Sequence, residues 1–263
     1  MVEPFPRRDW FLFVPLLAVV VSGCGVAEYE KRLAARVERL KEEAVFNVLY
    51  QATELRGTPI LVRVPMKFTQ QLVAGAEVEG KKIDPRRVTI PNLSVSGSSL
   101  VYEATVADSA GGRLPFYIYL LAIEADQAET YRTDNPRKLA ADKKAAGPGA
   151  GEQPRMENGG SMIADLAGKS PSSKLVWQDV DCRTPERTSV RWQRLEVDGP
   201  QEFHYVDPGG QESFRKLPGH LEVWARYYGG HLLLVVWRVP ESLRPAAEVG
   251  QLAPLVAGTV SVR

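Results

Sequence analysis

Cysteine is scarce in this chain. Its 263 residues hold two, Cys24 and Cys182, too few for the disulfide framework that staples small secreted domains. Histidine is nearly as rare. His204, His220 and His231 show no HxH or HExxH spacing, so no local motif holds a metal, and neither metal nor cofactor is expected. His220 and His231 fall at opposite ends of one predicted hairpin, roughly 25 Å apart at strand rise, too far to share an ion within it. A charge excess is missing as well. Lys and Arg total 33 against 32 Asp and Glu, a net charge of +1, which excludes nucleic acid as an expected partner. No P-loop, dinucleotide fingerprint or G-x-S-x-G occurs.

Long apolar runs are also lacking, and the one clear run is instructive. Trp10 to Val21 is apolar over 12 residues, short of the roughly 20 that a spanning helix needs. Behind the basic pair Arg7-Arg8, it has the shape of a signal-peptide core. It ends in Val21-Ser22-Gly23-Cys24. That tetrapeptide resembles the lipobox of bacterial lipoproteins, an aliphatic and two small residues before a cysteine. The resemblance implies a signal peptide over 1–23, cleavage after Gly23 and lipidation of Cys24. Acyl chains bury about 0.8 kcal/mol per CH₂, and two or three of them hold a protein stably on a membrane. With Cys24 acylated, Cys182 has no partner in the chain.

From Ala27 to Leu55 the pattern is helical: Tyr29, Leu33, Val37, Leu40, Ala44 and Asn47 recur at steps of three and four. The stripe suits docking on a sheet better than self-pairing, and Gly57 with Thr58-Pro59 ends the helix. Strands are predicted at Ile60–Val64, Arg86–Ile90, Leu100–Val106 and Leu114–Ile123, the last two joined by a turn over Asp108–Gly112. Residues 126–173 are rich in Ala, Gly, Pro, Lys and Glu, too poor in large apolar side chains to offset their ordering entropy. They are expected to be a disordered insertion.

Beyond Lys174, strands are predicted at Ser189–Val197 and Gln201–Val206, followed by the turn Asp207-Pro208-Gly209-Gly210. The strongest hairpin is Leu221–Tyr228, Gly229-Gly230, His231–Val239. A two-residue turn sets Val223 against Val236, Ala225 against Leu234 and Tyr227 against Leu232. Both of its faces are apolar, so both need cover. A helix over Arg244–Val256, with Pro245 in its first turn and Pro254 weakening its end, is expected to supply some of it.

The fold expected is therefore α+β. An antiparallel sheet is packed by an N-terminal helix (24–56) and a C-terminal one. Its halves, 57–125 and 174–263, join into one sheet in preference to forming two small domains. Tyr29–Leu33, Thr58–Pro65 and Trp237-Arg238-Val239-Pro240 resemble a group of uncharacterised bacterial lipoproteins, which implies no activity. The helix-plus-sheet pattern is similar to the PsbP-like fold, and a fold alone does not give a function.

Candidate chemistry is thin. Cys182 stands beside Asp179 and Asp181, acids that raise a thiol's pKa and make it a poor nucleophile. Those two acids, sharing one strand face, form a carboxylate pair of a very common kind. Trp192, Trp224, Tyr227, Tyr228 and Trp237 read as sheet core before they read as a recognition platform, and Tyr228, beside the turn and His231, is the one most expected at the surface. The expectation is a non-catalytic, lipid-anchored envelope protein with a membrane and an envelope protein as partners. It faces the periplasm or exterior, and Gly25 after the cysteine favours the outer membrane. A small-ligand or lipid carrier, and an envelope enzyme with a site hidden from sequence, stay open.

Overall fold

A computed structural model describes residues 13–55, 57–72, 77–78, 81–82, 86, 98–108, 110–124, 176–228 and 230–263. The predicted insertion at 126–173 and, apart from Arg86 in a turn, the predicted strand at 86–90 lie outside the described residues. The chain divides into two units, one ending at Val48 and the other running from Leu49 to Arg263.

The first unit is helix α1, Phe13–Ala44, followed by a 3-10 turn over Val45–Val48. Cys24 lies within α1. Taken by itself, α1 buries none of its apolar stripe: Tyr29, Leu33, Val37 and Leu40 lie on its surface. Pairs one turn apart, Arg32 with Glu28 and Arg39 with Glu43, support the helix from its own surface. The helix also stops earlier than its pattern predicts. After Val48 the chain turns extended: Leu49 bridges to Pro65, the Tyr50 amide donates to the Val64 carbonyl at 2.7 Å, and Leu49 and Leu55 are buried. Pairing and burial override the periodicity there.

In the second unit, β1 (Thr53–Glu54), β2 (Ile60–Val62) and the chain's last strand (Ser261–Val262) form a small antiparallel sheet. Strands β3 (Gln70–Leu72), β6 (Ser98–Ala107), β7 (Arg113–Glu124), β8 (Gln178–Arg183), β9 (Ser189–Val206), β10 (Glu212–Tyr228) and β11 (His231–Pro240) form the large one. The short β4 (Glu77–Val78) and β5 (Lys81–Lys82) pair with each other. The large sheet runs β3-β6-β7-β11-β10-β9-β8, and every pairing in it is antiparallel. Both halves of the sequence thus share one sheet, joined where β7 pairs β11. The class is α+β.

Strand lengths explain the shape. The final hairpin has the register its pattern predicts, Val223 across from Val236 and Tyr227 across from Leu232, with Gly230 in the left-handed turn conformation. The predicted break near Gly199-Pro200 does not occur. Instead β9 continues through it to Val206, and β10 begins nine residues before the predicted start at Leu221. Pro200 lies across from Pro218 and Gly199 from Gly219, so the prolines oppose each other in the ladder. Gly219 packs closely there: a Cβ would sit 3.0 Å from the Phe203 ring, which would have to give by a few tenths of an ångström. The far end of β9 then returns to β7, where Val206 pairs with Arg113.

After β11 come a 3-10 turn, Glu241–Leu243, and two short helices, α2 (Arg244–Ala247) and α3 (Val249–Gly258). The single predicted helix is broken at Glu248, whose φ is 52°. Lys67 donates to the carbonyls of Ala246 and Ala247 at 3.0 and 3.3 Å, satisfying groups that the break exposes. Pro254 does not end α3, which runs four residues further. That helix packs on β8, β9 and β11. Beside it, Leu55, Ile60, Val62 and Val260 meet Leu120, Trp192, Leu233 and Val235 across a space of about 10 Å³. This layer is filled. Trp192, Trp224 and Trp237 are each within 1% of full burial, so they serve as core. Phe68 meets Trp237 edge-on at 5.5 Å.

Candidate functional site

The long β9–β10 ladder places polar residues where no local motif shows them. His220 lies directly across from Asp198, and its Nδ1 is 2.7 Å from Asp198 Oδ1. Its Nε2 points the other way, 3.6 Å from Glu222 Oε2. Glu222 is itself buried and accepts the Trp224 indole N–H at 2.6 Å. Glu241, in the turn after β11, brings its carboxylate to the same place. One ligand atom each from Asp198, His220 and Glu241 lie within 4.8 Å of one another. The imidazole is 1% exposed, whereas the side chains of Asp198 and Glu241 are 69% and 49% exposed. Arg244 stands at the rim, 3.7 Å from both Glu241 and Glu196.

Burial works against a charged His220, and the facing carboxylates of Glu222 and Asp198 overcome it, so its pKa lies above the ordinary histidine value. Asp198 also favours the imidazolium, while Arg244 opposes it. The arrangement is a buried imidazole with a buried carboxylate 3.6 Å behind it and two exposed ones in front.

A second polar cluster lies between β6 and the far half of β9. Arg86 reaches Glu103 Oε2 with Nε at 2.9 Å. Its Nη1 lies 3.2 Å from His204 Nδ1, and His204 Nε2 lies 3.2 Å from Glu212 Oε2. Arginine has no acceptor, so Nδ1 accepts and Nε2 carries the proton given to Glu212. Burial raises the Glu103 pKa, with Arg86 and His204 acting in the opposite sense. Nearby Arg238, also buried, donates to Gln201 Oε1 at 2.9 Å and to the Glu202 carbonyl, and lies over the Phe203 ring. Every charge in this cluster is tied to a protein group, as a structural clamp between strands requires.

The residues singled out in the sequence are mostly apart. Cys182 is buried, and burial first, Asp181 second, push its thiol up to about 12. Asp179 and Asp181 are exposed, and Asp181 pairs with Arg191 at 3.1 Å. Tyr228 is half-buried, across from His231 as expected, with the Arg226 guanidinium 4.5 Å from its ring centre. Sequence reasoning missed the Asp198–His220–Glu241 cluster. A usable signal existed in the turn at 207–210, since the pair Val206–Glu212 in an unbroken ladder sets Asp198 opposite His220. Glu241 had no such signal. The sequence matches no protein-family model and no curated protein.

Proposed function

We propose that this protein is a lipid-anchored envelope protein whose β-rich unit acts as a binding or assembly module and not as a carrier. The observation that carries the reading is Val21-Ser22-Gly23-Cys24 at the end of a 12-residue apolar run behind Arg7-Arg8. No helix among the described residues is long and apolar enough to cross a membrane, which leaves attachment in this reading to lipid on Cys24. Cleavage after Gly23 leaves a helix from Cys24 to Ala44, about 30 Å long at 1.5 Å per residue. Its stripe of Tyr29, Leu33, Val37 and Leu40 is an apolar face of the kind that meets an envelope partner. Among the described residues, the space between the small sheet and the large one is about 10 Å³, too little for an acyl chain at that place.

The test is crosslinking in cells, followed by isolation of the tagged protein from its membranes in mild detergent and mass spectrometry of all that is recovered. An N-terminal Cys24 peptide carrying acyl mass, with one recurrent protein partner, supports the reading. An intact Met1, or a Cys24 without acyl mass, overturns the anchor. Cys24→Ala is expected to release the protein from the membrane fraction.

A further inference from the structure

We propose that Asp198, His220 and Glu241 bind a divalent cation of the zinc class. The proposal is independent of the lipid anchor. Three features carry it.

First, the donors are suitable. One imidazole nitrogen and two carboxylate oxygens suit a borderline cation such as Zn²⁺, and three protein ligands leave a fourth tetrahedral position to water. Zinc ligands lie about 2.0–2.2 Å from the metal, so atoms now within 4.8 Å must draw together. Asp198 and Glu241 are the exposed members, and rotation of their side chains closes the site without moving a strand.

Second, the immobile ligand is already oriented. His220 is almost fully buried, and its Nδ1 faces the carboxylates while Nε2 faces buried Glu222. A carboxylate behind a ligating histidine fixes its tautomer and raises its basicity. Glu222 is in turn fixed by the Trp224 N–H. On binding, the cation replaces the Nδ1 proton, which leaves to solvent, and Nε2–H remains with Glu222.

Third, the local charge is arranged to permit exchange. Arg244 competes for Glu241, yet Glu196 lies equally close to it. Glu196 is also 2.8 Å from Arg194. When Glu241 turns to the cation, Arg244 retains Glu196.

The experiment is Zn²⁺ titration of the full-length chain in mild detergent against a chromogenic chelator, with Co²⁺ absorption as a second readout of coordination. One Zn²⁺ per chain is expected. Asp198→Asn and Glu241→Gln, both at exposed positions, are each expected to abolish that binding, with circular dichroism confirming that each variant is folded. Glu222→Gln is expected to weaken it by about 10- to 100-fold, and Arg244→Gln to tighten it. Absence of Zn²⁺ binding, or binding unchanged in the Asp198→Asn/Glu241→Gln double variant, overturns the proposal.

Discussion

The Tyr205 hydroxyl donates to Asp108 Oδ2 at 3.0 Å, tying the far end of β9 to the turn between β6 and β7. Asp108 Oδ1 also accepts the amides of Ala110 and Gly112 at 2.9 and 2.8 Å. Gly112 has no side chain because Tyr205 occupies its place: a Cβ there would lie 2.0 Å from the hydroxyl. Desolvation works to raise the Asp108 pKa, but the bonds from Tyr205, Gly112 and Ala110 hold it below the ordinary 3.8. A depressed carboxylate contributes stability that is present above its unfolded pKa and lost as pH falls through the folded one. Tyr205→Phe is therefore expected to lower the melting temperature at neutral pH, with the difference from the parent shrinking below pH 3.8. A difference that stays constant on acidification contradicts this account.

Helix α3 approaches β8 at Gly258 with no space to spare. A Cβ there would lie 2.1 Å from the Arg183 carbonyl oxygen, a backbone atom that cannot swing aside. Gly258→Ala is expected to destabilise the protein by about 3 kcal/mol, the upper end for overpacking. Urea denaturation gives the value, and a loss under about 1 kcal/mol would show that helix and strand slide apart easily.

Trp237 is fully buried, with Phe68 against it and Phe68 in turn edge-on to Phe116 at 5.3 Å. Truncating it leaves a cavity that this rigid aromatic chain fills poorly. Trp237→Ala is expected to cost about 3–5 kcal/mol, and Trp237→Phe much less. The same denaturation measurement ranks the two, and equal costs would contradict a cavity origin, since the buried indole N–H has no hydrogen-bond partner to lose.

Cys182 is expected to be inert in the folded protein. Its thiol is buried and pushed up to about 12, with Arg226 and Arg194 only partly offsetting burial and Asp181. At pH 8 iodoacetamide should label it only after denaturation, read by mass spectrometry of the Cys182 peptide. Rapid labelling of the native chain would mean that β8 opens at the sheet edge.

The parts legible in the sequence are those governed by neighbours a few residues away. The strands β6, β7 and β11 and the register of the last hairpin follow from period, turn glycines and short loops, and the structure reproduces them, whereas the N-terminal helix follows its pattern only as far as Ala44. The union of both halves in one sheet was also foreseeable, because the final hairpin is apolar on both faces and has to be covered twice. The tetrapeptide ending at Cys24 is local in the same sense, and it is the whole basis for the expected address.

Elsewhere the tertiary structure decided. Pro200 falls in a predicted break, yet it stands opposite Pro218 inside one ladder, at positions where the pairings of β10 with β11 and of β9 with β8 do not reach, so neither proline interrupts a second ladder. That unbroken ladder is what carries Asp198 to His220 across 22 residues. Glu241 reaches them only because β11 ends beside the same strand. Local sequence specifies side-chain chemistry and short-range pairing. Which distant carboxylate meets a buried imidazole depends on strand register and sheet order, and those are set by how the whole core is filled.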